Sequence, residues 1–205
     1  VWNNGSGLSY QTHDGSDWSD VKTVSIYTGA EPSRIQLVAQ PKGDGMLLTV
    51  SDANVEDRAL AWNGSNWVSE QVLDTSGGPS YRQLAVNAAY ESVSGLGMVF
   101  YGRSDVDGVF YRTFDGQNWS GQQTVPLTLS NGVLSISTAS AANSDSIGLG
   151  VTSLAENFFN STYQQHFLRW DGDAWSSVLN GPRTSTVGAG TVSYTHLRAH
   201  ETSLH

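Results

Sequence analysis

The chain has 205 residues and a formal net charge of −9, because 19 Asp and Glu outnumber ten Lys and Arg. It contains no cysteine, which excludes disulfide scaffolds, Cys-ligated zinc and Cys nucleophiles. The acidic balance without a basic cluster argues against a nucleic-acid partner, and no apolar run approaches the ~20 residues of a membrane span. Uncharged polar residues and 22 glycines suit strands and turns better than helices. We therefore predict a β-rich protein that is extracellular or displayed at the cell surface.

One short motif occurs four times along the chain: Asp or Asn, then Gly, two variable residues and Trp. The shared residues are Asp14, Gly15 and Trp18; Asn63, Gly64 and Trp67; Asp115, Gly116 and Trp119; and Asp171, Gly172 and Trp175. The tryptophans are 49, 52 and 56 residues apart. Asp-Gly and Asn-Gly favour tight hairpins, because glycine adopts a positive φ without a Cβ clash. Each motif is therefore predicted to join two antiparallel strands.

Short strand-like runs divide each period of about 50 residues into four. In chain order, the predicted strands are 8–13 in the first period; 35–40, 46–51, 58–62 and 67–74 in the second; 81–88, 96–101, 109–114 and 119–125 in the third; and 133–140, 147–153, 164–170 and 175–179 in the fourth. These runs are too short for helices, and no helical stripe is sustained.

Four antiparallel strands repeated at this period are typical of β-propeller blades, whereas an immunoglobulin-like array needs ~100 residues per unit. The prediction is an all-β fold: a partial β-propeller of about three and a half four-stranded antiparallel blades. The predicted units are a partial blade at 1–27, blades at 34–75, 81–126 and 133–180, and a linker at 181–191. Since propellers close with four to eight blades, we expect missing blades of the same chain as partners.

The motif resembles a known propeller turn. Residues 12–18 and 113–119 read Thr-x-Asp-Gly-x-x-Trp, similar to a shortened Asp-box, the Ser/Thr-x-Asp-x-Gly-x-x-Trp turn of sialidase-type propellers, and to the Trp-bearing blades of bacterial and fungal propeller lectins. One residue is missing between Asp and Gly, and Ala61 and Arg169 replace Thr in the other copies. The resemblance implies that the Asp and Asn residues hold turns away from an active site, while the tryptophans pack between blades.

Three functions remain open after the resemblance. The first is a binding or adhesion module whose ligand is a glycan or a protein. The second is a sialidase-like propeller glycosidase, although Arg34-Ile35-Gln36 lacks the proline of that family's Arg-Ile-Pro strand and no other arginine has a recognisable setting. The third is a ligand-free spacer in a surface protein. We assign no catalytic residue, and the binding module is the predicted function.

The predicted ligand face lies opposite the Asp-Gly turns, where loops vary on a rigid scaffold. Phe158, Phe159 and Tyr163 lie in a long loop there and are predicted to stack on a sugar or contact a partner, or else to fold back on the blade. Two acidic loops on that face present alternating oxygen ligands suited to Ca²⁺, the one cofactor considered. Their residues are Asp52, Asn54, Asp105 and Asp107; the alternative is that these acidic tips are merely solvated.

The last residues differ in character from the repeats. Residues 192–202 resemble the translation of a transposon-type sequencing adapter, so we predict that residues 192–205 are a non-native tail and exclude them from the fold. His196, His200 and Glu201 imitate zinc-ligand spacing within that tail. We therefore predict no zinc site there.

Overall fold

The computed structural model describes residues 1–76, 84–154 and 162–184. These residues form four antiparallel sheets, one of three strands and three of four strands. This confirms the predicted fold class, an all-β partial propeller of about three and a half blades. No helix long and apolar enough to cross a membrane occurs in the described residues.

The strands follow chain order within each sheet. The first sheet contains β1 (Trp2–Asn3), β2 (Leu8–Tyr10) and β3 (Lys22–Thr23). The second contains β4 (Pro32–Ala39), β5 (Gly45–Asp52), β6 (Asp57–Asn63) and β7 (Trp67–Asp74). The third contains β8 (Val86–Tyr90), β9 (Gly97–Gly102), β10 (Val109–Phe114) and β11 (Gln123–Thr124). The fourth contains β12 (Val133–Ser140), β13 (Ile147–Leu154), β14 (Tyr163–Trp170) and β15 (Leu179–Asn180).

The fourth strands of the last two sheets are shorter than the sequence predicts. β11 and β15 have two residues each, and Trp119 and Trp175 pair with Phe114 and Trp170 only through isolated bridges. Between each bridge and the short strand that follows it, the chain does not pair with the third strand of its sheet.

The hydrophobic core consists of three clusters, each between two consecutive sheets. Neighbouring residues of one strand enter different clusters, because successive side chains point to opposite faces of a sheet. Leu47 packs against the third sheet and Leu48 against the first, while Phe100 packs against the fourth sheet and Tyr101 against the second. The second and third sheets are therefore buried on both faces, which explains their near-continuous apolar runs.

The first strands of the three complete blades share a polar network. Asn87 Oδ1 accepts hydrogen bonds from Gln36 Nε2 at 3.0 Å and Thr138 Oγ1 at 2.9 Å, and its Nδ2 donates to the Ile136 carbonyl at 3.0 Å. One amide thus connects three blades at the inner side of the row.

Candidate functional site

The four Asp/Asn-Gly turns have the same internal hydrogen bonds. In each, the side-chain Oδ1 accepts hydrogen bonds from the backbone N–H groups two and three residues later, at 2.7 to 3.1 Å. The glycines have φ between +96° and +107°, a conformation that favours glycine. The backbone hydrogen bonds lower the pKa of Asp14 to about 2 and also lower those of Asp115 and Asp171. These carboxylates are occupied in holding turns.

The motif tryptophans differ in their surroundings. Trp67 is buried, while Trp119 and Trp175 are half-buried and pack against the clusters between sheets. Trp119 Nε1 donates to Ser69 Oγ of the preceding sheet at 3.0 Å. Trp18 departs from the predicted packing and is 67% exposed, because no described sheet precedes the one that carries it.

In the first acidic loop, the oxygen atoms of Asp52 are engaged by the protein itself. Asp52 is fully buried; its Oδ1 accepts from the N–H groups of Asn54 and Glu56 at 2.9 and 3.0 Å, and its Oδ2 accepts from the Ala30 N–H at 2.9 Å. Arg58 lies beside this loop and donates to Glu56 Oε2 at 2.7 Å. The Asn54 side chain is exposed.

In the second acidic loop, Asp105 forms a bidentate ion pair with Arg103, at 2.9 and 2.6 Å, which lowers the pKa of Asp105. Asp107 is exposed. Across the ranges that the structure describes, no group of three or more His, Asp or Glu side chains is arranged to hold a metal ion. The calcium site at Asp52, Asn54, Asp105 and Asp107 stays a prediction.

The predicted aromatic loop lies largely outside the described residues, which do not include Phe158 and Phe159. Tyr163 begins β14, and its backbone exchanges hydrogen bonds with Thr184 at 2.9 and 3.1 Å. Its backbone therefore belongs to the sheet, and its side chain is half-buried.

Sequence reasoning missed a polar chain across three strands of the fourth sheet. His166 Nε2 is 3.0 Å from Ser153 Oγ, and His166 Nδ1 is 2.7 Å from Asn180 Oδ1. This order of Ser, His and Asn is that of an activated nucleophile. Ser153 is only 2% exposed and lines neither cavity described here, so a substrate has no access to it. The chain satisfies buried polar groups between strands.

A second buried polar group is the carboxyl of Asp57. Burial, together with the neighbouring carboxylates of Asp74 and Asp52, raises the pKa of Asp57 to about 7. Ser51 Oγ donates to its Oδ1 at 2.5 Å. The adjoining cavity has a volume of about 10 Å³, enough for one water. A general acid must come within hydrogen-bond reach of its substrate, and this cavity admits no sugar.

A groove between the second and third blades has a volume of about 530 Å³. It lies on the face that carries the Asp-Gly turns, opposite the face predicted to hold the ligand. Its aromatic residues are Trp62, Tyr90 and Phe114, and its polar residues are Gln40, Asp44, Asn63, Glu91, Ser94 and Asp115. The three aromatic side chains are 3 to 5% exposed and form the floor. Burial raises the pKa of Tyr90 to about 12, so its hydroxyl stays protonated.

The turns between the first two strands connect neighbouring blades in different ways. All three have equal length and are closed by Gln40–Gly45, Glu91–Leu96 and Ala141–Ser146 hydrogen bonds. Asp145 of the fourth sheet accepts from the Val93 and Ser94 N–H groups at 2.8 and 2.9 Å and ties the third and fourth blades together.

The residues that tie the third and fourth blades are replaced at the preceding junction. The residue of the third sheet equivalent to Asp145 is Gly95, which has no carboxylate. Trp170 also crosses the later junction, where its Nε1 donates to Glu91 Oε1 at 2.6 Å. Its equivalent in the third sheet is Phe114, whose ring has no N–H donor. The earlier junction is tied differently, by Gln40 Nε2 of the second sheet, which donates to the Gly95 carbonyl of the third at 3.1 Å.

Comparisons with known proteins give a fold likeness of low similarity. No family model and no curated protein matches the chain. Similar solved structures include the α-L-arabinofuranosidase Arb93A from Fusarium graminearum in complex with an iminosugar inhibitor, at 12% identity and a TM-score of 0.43. The match covers 74% of this chain and 48% of that one. A mutant of the same enzyme gives 12% identity and a TM-score of 0.42. The chain spans about half the length of these enzymes, and so low a likeness carries no argument about function.

Proposed function

We propose that the protein is an extracellular binding module and that a neutral glycan binds in the groove between its second and third blades. The observation that carries the proposal is the groove itself, a cavity of about 530 Å³ with an aromatic floor and a polar rim. Small-ligand sites are concave and fall within ~300–1,000 Å³, whereas a stable protein partner needs ~800 Å² of surface on each side.

The chemistry of the rim selects among ligands. Gln40 and Asn63 offer amide groups, and the exposed Asp44 offers a carboxylate acceptor. Sugar hydroxyls satisfy such groups. Glu91 is buried, and its oxygens already accept from Trp170 and Ser94. The lining includes no Lys or Arg, so it lacks a partner for a sugar carboxylate. We therefore propose neutral sugars rather than uronic or sialic acids.

Isothermal titration of the full chain tests the proposal, with neutral tetrasaccharides of glucose, xylose, mannose and galactose as probes and oligogalacturonate as the anionic comparison. Asp44 is exposed at the rim, so Asp44→Ala removes acceptors without opening the core. Losing a hydrogen bond to a charged group weakens binding by about tenfold or more.

Asp107→Ala is the matched control, because it makes the same change at an exposed position in a loop at the opposite end of the strands. We expect at least one neutral probe to bind, with Asp44→Ala weaker and Asp107→Ala unchanged. The proposal is wrong if no neutral probe binds, if oligogalacturonate binds best, or if both variants bind like the parent.

A further inference from the structure

One buried tyrosine of the groove carries a hydroxyl that the protein itself does not use. Tyr90 lines the groove and is 3% exposed. Among the residues that the structure describes, none hydrogen bonds to its hydroxyl, and burial alone raises the pKa of Tyr90. The two other buried tyrosines of this sheet differ, because Tyr101 donates to Gln122 at 2.9 Å and Tyr111 donates to Gln123 at 2.7 Å. A buried hydroxyl without a hydrogen bond costs free energy, so the Tyr90 hydroxyl points to a partner from outside the chain.

A second oxygen beside the Tyr90 hydroxyl also has no hydrogen bond. Gln40 donates through Nε2 to the Gly95 carbonyl at 3.1 Å, while its Oε1 accepts from none of the described residues. Glycines leave the space for this amide, because a Cβ on Gly43 or Gly45 would lie 2.5 or 2.7 Å from Oε1. A Cβ on Gly45 would also lie 3.5 Å from the Tyr90 hydroxyl oxygen. The two oxygens therefore border the same space beside Gly45.

At the next junction, protein groups fill the corresponding place. Glu91 closes the turn of the third sheet as Gln40 closes that of the second. Its Oε1 accepts from Trp170 Nε1 of the fourth sheet at 2.6 Å, and its Oε2 accepts from Ser94 Oγ. Phe114 stands in the place of that tryptophan at the earlier junction, and its ring supplies no donor to Gln40 Oε1. The hydrogen-bond donor that the protein provides at one junction is therefore missing at the other.

We propose that a hydroxyl of the bound sugar lies between these two oxygens, donating a hydrogen bond to Gln40 Oε1 and accepting one from the Tyr90 hydroxyl. This contact lies in the proposed glycan site and therefore rests on the proposed function. A hydroxyl donates and accepts through one oxygen, whereas an ether oxygen only accepts and an ammonium group only donates. Tyr90 and Gln40 thus determine specificity for a neutral sugar that presents a free hydroxyl to the bottom of the groove.

Isothermal titration of two variants with the neutral tetrasaccharides of glucose, xylose, mannose and galactose tests this contact. Tyr90→Phe removes the hydroxyl alone. Gly45→Ala places a methyl group against Gln40 Oε1, which is the movable end of that side chain and can shift without disturbing the strand. Each variant loses a hydrogen bond between neutral groups, so each should bind the probe that the parent binds roughly three- to tenfold more weakly.

Tyr111→Phe and Gly148→Ala are the matched controls and should bind the probe like the parent. The Tyr111 hydroxyl bonds within the protein, and a Cβ on Gly148 would lie an ordinary 3.7 Å from the Ala139 carbonyl oxygen. Melting temperatures test the state of the two hydroxyls without any ligand. Tyr90→Phe should melt no lower than the parent, because its hydroxyl has no protein partner to lose, whereas Tyr111→Phe should melt lower.

The results distinguish a failure of this contact from a failure of the proposed function. If Asp44→Ala weakens binding of a probe while Tyr90→Phe or Gly45→Ala leaves it unchanged, the groove binds glycans but the hydroxyl contact is wrong. The contact is also wrong if Tyr111→Phe weakens binding as much as Tyr90→Phe does, or if Tyr90→Phe melts well below the parent. A parent that binds none of the probes overturns both the contact and the proposed function.

Discussion

The buried carboxyl of Asp57 gives the sharpest prediction about stability. Its pKa of about 7 in the folded protein lies well above the ordinary Asp value of about 3.9 that applies when the chain is unfolded. At pH values below the pKa of the unfolded chain, the carboxyl is protonated in both states and does not change the free energy of unfolding. As pH rises from about 4 to 7, the unfolded chain releases the proton while the folded protein retains it. The stabilising effect of that proton is lost, and above pH 7 the folded protein bears a buried charge.

The size of the effect follows from the shift. Three pKa units at ~1.4 kcal/mol each give about 4 kcal/mol, and relaxation around the charge reduces this to roughly 2–4 kcal/mol. Asp57→Asn removes the ionisation, while its Oδ1 still accepts the hydrogen bond of Ser51. We therefore expect the variant to match the parent near pH 4 and to exceed its free energy of unfolding by this amount near pH 8.

Urea unfolding of both proteins at a series of pH values from 4 to 8 measures the difference. Asp107→Asn makes the same change of charge at an exposed position and should give a difference near zero throughout. The turn carboxylates with lowered pKa values contribute equally to the two proteins and cancel. The reasoning fails if the advantage of Asp57→Asn does not change with pH, or if the variant is less stable than the parent at pH 8.

Two further predictions concern the motif. Asp115→Ala should lower the melting temperature, because two backbone N–H groups lose their acceptor. Asp115→Asn should not lower it, since Asn63 already holds the equivalent turn with the same hydrogen bonds. Equal melting temperatures for the two variants would contradict this. Trp119→Ala should lower the free energy of unfolding, measured in urea titrations, by about 2–3 kcal/mol, which is less than the loss for a fully buried ring. Trp18→Ala should lower the free energy of unfolding by under ~0.5 kcal/mol at low protein concentration. A similar loss for both tryptophans would mean that exposure does not govern their contribution.

The repeat made most of the fold predictable. Asp-Gly and Asn-Gly specify the turn through local backbone chemistry, so Asp14 and Asp171 mark hairpins without knowledge of anything distant. The period then specifies four strands per blade. The packing of each tryptophan was harder to predict from the sequence, because it depends on a neighbouring sheet. Trp67 and Trp18 have the same local motif, yet Trp67 is buried and Trp18 is exposed.

The candidate groove was not predicted, and its position explains why. Beside it, Gly95 and Phe114 stand where the next blade has Asp145 and Trp170, a comparison that requires the register of two sheets. Aligning the turns between first and second strands would have shown Gly95 against Asp145, and aligning the Asp-Gly motifs shows Phe114 against Trp170. Sequence reasoning instead emphasised acidic loops, where Asp52 accepts backbone hydrogen bonds.

The sharing of every core cluster between two sheets has a consequence for synthesis of the chain. Leu47 is buried by residues such as Val99 and Tyr101, which follow it by about 50 residues and emerge from a ribosome roughly 3–10 seconds later. A newly made blade thus waits with one apolar face uncovered until its successor arrives. Folding must lag translation by one repeat, and during that interval the nascent chain is most exposed to aggregation and to chaperones.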